Sequence, residues 1–226
     1  YGGDIMNDEF KGFPKEIIDF FWELRMNNNT EWFRENKDRY DTLVKTPMKL
    51  FSDEMAERLN NMKLGEIFVP AISRANRDIR FAKDKSPYKD RKWVVFNYRE
   101  GRWQGKICFY FEVAPEGWCC GVGSYESDSA FLTRYRNKLA ADNAAVERLE
   151  KKLSGQSFFK ADNRLYKKNF IPEGTPKNIE KWFQFRNVAF TSDYRMDEEL
   201  FTKDILDVVE EKFKFLKPYF LYLKDI

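Results

Sequence analysis

Ile107-Cys108-Phe109-Tyr110-Phe111-Glu112-Val113 alternates without a break, with Ile107, Phe109, Phe111 and Val113 on one side and Cys108, Tyr110 and Glu112 on the other. A period of two places these sets on opposite faces of a strand, one turned to a core and the other to something more polar. Upstream, Arg99-Glu100-Gly101-Arg102 reads as a hairpin turn after the β-rich run Trp93 to Tyr98. Downstream, Ala114 to Gly117 turns the chain into Trp118 to Gly123. The expectation is a three-stranded antiparallel meander. Gly121-x-Gly123 lacks the longer nucleotide-binding fingerprint and is read as a bulge or strand end.

Helical patterns surround this meander. Ile17, Phe20, Phe21 and Leu24 share one face of a helix opened by Pro14 and ended by Asn27 to Asn29. Thr30 is expected to cap a second helix carrying Trp32, Phe33, Tyr40 and Leu43, which Thr46-Pro47 interrupts. Met48, Phe51, Met55, Leu59 and Met62 define a third. Ile67 to Ile72, with Pro70 inside it, suggests an edge strand. Beyond the meander, Ser127 or Asp128 caps a helix through Phe131, Leu132, Tyr135 and Leu139, and Asp142 starts another that stops at Ser154-Gly155. Arg164 to Phe170 is a weakly alternating strand, Ile179 to Phe183 a short helix and Val188 to Thr191 a strand. Asp197 is expected to cap a closing helix that Pro218 kinks or restarts. The fold class is therefore α+β, an antiparallel sheet packed against N-terminal, middle and C-terminal helices. Residues 1–9 are read as an extension, with Met6 a candidate start, and 10–226 as one domain.

Composition narrows the chemistry. The 226 residues contain 42% hydrophobic and 34% charged side chains, enough apolar material for a large core and no run approaching the ~20 residues of a membrane span. There is no histidine, which removes Ser-His-Asp and Cys-His nucleophiles and His-x-x-x-His metal sites. The three cysteines, Cys108, Cys119 and Cys120, lack a Cys-x-x-Cys spacing, so neither a disulfide framework, zinc nor haem is expected. Mg²⁺ on oxygen ligands is the metal that the composition still admits, and a reducing cytoplasm is the expected location.

Net charge is only +3, yet Arg74 to Lys92 holds Arg74, Arg77, Arg80, Lys83, Lys85, Lys89, Arg91 and Lys92 against Asp78, Asp84 and Asp90. Affinity for anions should be focused there. Arg74, Arg77 and Arg80 offer planar donor forks suited to phosphate or carboxylate. Three functions compete. In the first, those arginines bind a small anionic ligand, Asp78 orients an arginine or holds Mg²⁺, Lys85 and Tyr88 are candidates for ligand contact and proton transfer, and Arg136 is a second basic arm. In the second, Lys83, Lys85, Lys89, Arg91 and Lys92 contact nucleic-acid phosphates while Trp93 stacks on bases, or the segment binds a protein. In the third, the charges form an internal ion-pair network without a ligand.

Arg74-x-x-Arg77-Asp78-x-Arg80-Phe81 followed by Asp84-Lys85-Ser86-Pro87-Tyr88-Lys89 resembles the signature of the bacterial domain-of-unknown-function family 2461. Asn27-Asn28-Asn29-Thr30-Glu31-Trp32-Phe33, Asn36-Lys37-x-x-Tyr40, Tyr110 with Glu112, and Pro115-x-Gly117 before Gly121-x-Gly123 are similar to that family's motifs in the same order. The loop Pro172 to Pro176 is a looser fit. The resemblance covers most of the chain and brings no catalytic residues with it.

Overall fold

A computed structural model describes residues 9–98, 101, 103–162 and 164–226. The expected strand Ile107 to Val113 is β3 (Ile107–Ala114), paired along its whole length with β4 (Gly117–Ser124) and with β2 (Lys92–Asn97) on its other side. The Arg99–Arg102 turn lies outside the described residues except for Gly101. The meander is the middle of a six-stranded antiparallel sheet of order β1-β2-β3-β4-β6-β5, where β1 is Val69–Ile72, β5 Phe159–Ala161 and β6 Ala189–Ser192. Pro70 sits in edge strand β1, where a missing N–H is tolerated.

The alternation divides the sheet into two faces. Val94, Phe96, Phe109, Phe111, Val113, Trp118, Cys120, Val122 and Phe190 are buried among helices. Phe109 lies 4.8 Å from the ring of Phe213 and 5.0 Å from that of Phe220, both on α8 (Ile205–Leu223). Each such ring removed from water contributes about 1.5–3 kcal/mol. Phe111 packs 4.3 Å from Phe51 on α4 (Thr46–Asn61). Ile17, Phe20, Phe21 and Leu24 of α1 (Glu16–Met26) and Phe131, Leu132, Tyr135 and Leu139 of α5 (Ser129–Ala141) are buried as their spacing predicts. Helix α6 (Asn143–Ser154) starts at Asp142, whose carboxylate accepts from the Ala145 N–H at 3.0 Å.

Several boundaries differ from expectation for local reasons. Asn29, not Thr30, caps α2 (Thr30–Glu35), its Oδ1 accepting from the Trp32 N–H at 2.9 Å. A short helix α3 (Lys37–Tyr40) and a π-turn at Asp41–Lys45 follow, so Thr46-Pro47 opens α4 where the sequence suggested a break. The helical backbone runs unbroken from the π-turn into α4, with Pro47 in the first turn of α4. Arg164 to Phe170 forms no strand beyond an isolated bridge between Leu165 and Phe185. Asp197 precedes a 3₁₀ turn at Glu198–Phe201, while α8 begins at Ile205 and continues through Pro218. Gly121 and Gly123 lie in uninterrupted register with β3, so neither marks a bulge. Among the described residues no helix is long and apolar enough to cross a membrane.

Candidate functional site: the open face of the sheet

The face turned away from the helices carries Trp93 and Val95 from β2, Cys108, Tyr110 and Glu112 from β3, Cys119, Gly121 and Gly123 from β4, and Ala189 and Thr191 from β6. All of these but Cys119 and Gly121 floor a cleft of about 700 Å³ walled by Ser127, Asp162, Arg164, Arg186 and Asn187. Glycine at position 121 lets the Tyr110 ring lie flat across β4. A Cβ there would stand 2.7 Å from Tyr110 Cε1 and 2.5 Å from the Phe190 carbonyl oxygen.

Glu112 is the charged centre of this floor. Its Oε1 accepts from the Tyr194 hydroxyl, and Arg91 Nη1 reaches the same oxygen at 3.4 Å and the Tyr194 hydroxyl oxygen at 3.1 Å. Oε2 accepts no hydrogen bond among the described residues. Burial raises the Glu112 pKa above the ordinary glutamate value, although the Tyr194 hydrogen bond and the Arg91 charge act the other way. Burial also raises Tyr194, helped by the negative charge of Glu112, and pushes Cys119 up to about 12. The cysteine is therefore a thiol at neutral pH, a poor nucleophile. Behind Arg91 the charges continue through Asp90, which Arg25 Nε contacts at 2.5 Å while Arg25 Nη1 reaches Glu116 at 2.7 Å.

The Arg74–Tyr88 loop forms a second cleft of about 750 Å³ beside the first. Trp93 and Trp103 line both. Arg74, Arg77, Arg80 and Lys89 face it, together with Asp78. Arg77 pairs with Asp84, and Arg80 forms a two-pronged pair with Asp78 at 2.9 and 2.6 Å, which occupies both Asp78 oxygens. The hydrogen bonds that the Arg80 side chain and backbone N–H donate to Asp78 hold its carboxyl low, at a pKa of about 2. The Arg74 guanidinium has no partner among the described residues. Lys89 bonds the carbonyls of Arg74 and Asn76 and lies 5.2 Å from the Trp93 ring centre, tying the loop to the strand.

The remaining candidates are spread more widely. Lys85 donates to the Ile79 carbonyl at 2.9 Å within the loop. Tyr88 is buried, stacked 3.8 Å on Phe33, with its backbone held on both sides by the Asn28 amide at 2.9 and 3.0 Å. It anchors the loop's return rather than lining the cleft. Arg136 donates to the Phe183 carbonyl at 2.9 Å and lies 3.9 Å over the Phe170 ring, away from the other arginines' cleft. Lys92 is 4% exposed and bonds Tyr40 Oη at 2.9 Å and the Ser73 carbonyl at 2.5 Å. Of the five cations considered for nucleic-acid contact, Lys92 is thus buried and Arg91 is paired with Glu112 in the cleft. No three Cys, Asp or Glu side chains come together as a metal-binding group among the described residues.

Sequence reasoning singled out neither Glu112 nor Tyr194 as a site residue. The one available signal was the ionisable residue on the polar side of the most regular strand, since Tyr194 lies 82 positions further on. Among curated proteins none matches the chain. Residues 16–222 match the family described as "Conserved hypothetical protein (DUF2461)", and with nearly its whole length inside that match the chain belongs to this family.

Proposed function

We propose that this protein binds a small molecule bearing a phosphate or carboxylate at the open face of its sheet, with Arg74, Arg77, Arg80 and Lys89 receiving the anion. The observation that carries the reading is the Arg74 guanidinium, without a carboxylate partner among the described residues, beside a cleft that shares Trp93 and Trp103 with the sheet floor. A guanidinium in that position is a ready donor fork for an oxyanion. Arg80, paired but solvent-facing, can turn one edge to a ligand at little cost, because exposed ion pairs contribute only ~0–1 kcal/mol, and Arg77, half-buried, is held by Asp84 alone. Asp78, Lys85 and Tyr88 then shape the loop, and Arg136 fastens carbonyls elsewhere. The burial of Lys92 and the pairing of Arg91 with Glu112 weigh against a basic surface for nucleic-acid backbone.

A thermal-shift screen of phosphorylated and carboxylated metabolites, with and without Mg²⁺, tests the reading, because a ligand of the native state raises its melting temperature. Arg74→Ala is expected to melt like the parent and to weaken the best ligand about tenfold or more, the loss of one charge-assisted hydrogen bond. Hits that bind Arg74→Ala and Arg77→Ala as tightly as the parent would remove the anion site from this loop.

A further inference from the structure

The two clefts differ in charge. The loop cleft sets Arg74, Arg77, Arg80 and Lys89 against the single carboxylate of Asp78. The sheet cleft balances Arg91, Arg164 and Arg186 with Glu112, Glu126 and Asp162. Each has the volume of a site for a drug-sized molecule, far more than an inorganic anion fills. Between them stand two indole rings, with Tyr125 5.3 Å from Trp103. On the neutral side, Glu112 Oε2 at the floor accepts no hydrogen bond among the described residues, while Oε1 is fixed by Tyr194 and Arg91.

The arrangement suits a molecule with an anion at one end and a flat, uncharged, N–H-bearing ring at the other. We propose that the ligand is a nucleotide whose phosphate lies among Arg74, Arg77 and Arg80, whose base stacks at Trp93 and Trp103, and whose amino group donates to Glu112 Oε2. The inference rests on the anion-binding reading and specifies its ligand. A base stacks on an indole whatever its sequence letter, so the tryptophans supply affinity without choice. Glu112 supplies the choice. Adenine, guanine and cytosine each carry an exocyclic amine, whereas the single ring N–H of uracil is flanked by carbonyls that would face a carboxylate oxygen.

Isothermal titration of the full chain with inorganic phosphate, adenosine, AMP, GMP, CMP, UMP and a short single-stranded oligonucleotide tests this. At least one amino-base mononucleotide should bind about tenfold or more tighter than phosphate or adenosine, and Trp93→Ala should remove that advantage. Glu112→Gln should keep the fold and phosphate binding but erase the preference over UMP. Phosphate binding as tightly as every mononucleotide would overturn the nucleotide and leave the anion site standing. UMP equal to the amino bases in the parent protein would overturn the role of Glu112. An oligonucleotide that binds where no mononucleotide does would overturn the free-nucleotide assignment, and silence from both phosphate and nucleotides would overturn it together with the phosphate form of the anion reading.

Discussion

The Arg74–Tyr88 loop and the Glu112 floor are both charged, and they hold their charges in opposite ways. In the loop, acids and bases a few residues apart pair in solvent, Asp78 with Arg80 and Asp84 with Arg77, and the Arg80 and Asp78 side chains are 76% and 60% exposed. On the sheet, Arg91, Glu112 and Tyr194 come from three distant parts of the chain, and the Glu112 side chain is 16% exposed. Water screens the first set and leaves it adjustable. In the second, the protein encloses Glu112, whose charge therefore depends on Arg91 and Tyr194 for solvation. A ligand can recruit loop arginines at small cost, but it must match the geometry that the floor already has.

The sharpest way to break this contrast is to fill the floor. Gly121→Val would push a branched side chain into Tyr110 and the Phe190 carbonyl, contacts that cannot both relax. The expected loss is about 3 kcal/mol, the upper end for overpacking, and a melting-temperature drop of about 6–12 °C at this chain length. A parent-like melting curve would mean that the floor is looser than the register implies.

The next effect separates the two regions directly. Arg91→Ala leaves Glu112 enclosed with no cation beside it, and a loss of about 2–3 kcal/mol is expected by urea unfolding at neutral pH. Adding Glu112→Gln to that variant should restore part of the loss, because the enclosed charge is then gone. Arg80→Ala, which breaks a shorter but more exposed pair, 2.6 Å against 3.4 Å, should change stability by less than about 0.5 kcal/mol. Equal losses from Arg91→Ala and Arg80→Ala would erase the distinction.

The same contrast explains what could be read from the chain. The meander was legible because alternation from Ile107 to Val113 is local, and the helices because Ile17-Phe20-Phe21-Leu24 and its counterparts repeat at helical spacing. Arg164 to Phe170 misled because its weak alternation has no neighbouring strand to pair with, and Pro218 because a long amphipathic helix tolerates one proline when its apolar face is packed. The arginine loop was visible as a density of charge. The floor was not, since the pairing of Glu112 with Tyr194 is set by where β6 ends beside β4, and no spacing rule reaches across that distance.

Lys92 joins the two regions, and its effect shows in the pH dependence of stability. It starts β2, which forms part of the floor, and its ammonium holds the Ser73 carbonyl at the base of the loop and the Tyr40 hydroxyl. Burial, with the charges of Lys89 and Lys45, lowers its pKa to about 8, while Asp41 pulls the other way. Between about 8 and the ordinary lysine value the unfolded chain holds a proton at Lys92 that the folded protein has shed, so the Lys92 contribution to stability rises with pH across that interval. Tyr40, raised by burial to about 12, acts in the opposite direction only once unfolded tyrosine ionises near pH 10. From pH 8 to 10 the parent should therefore gain about 1–2 kcal/mol relative to Lys92→Met, a figure reduced from the full linkage because water still reaches part of the site. Parallel urea-unfolding curves for the two proteins over that interval would mean that Lys92 stays charged in the fold, and the junction would then belong with the solvated loop rather than with the enclosed floor.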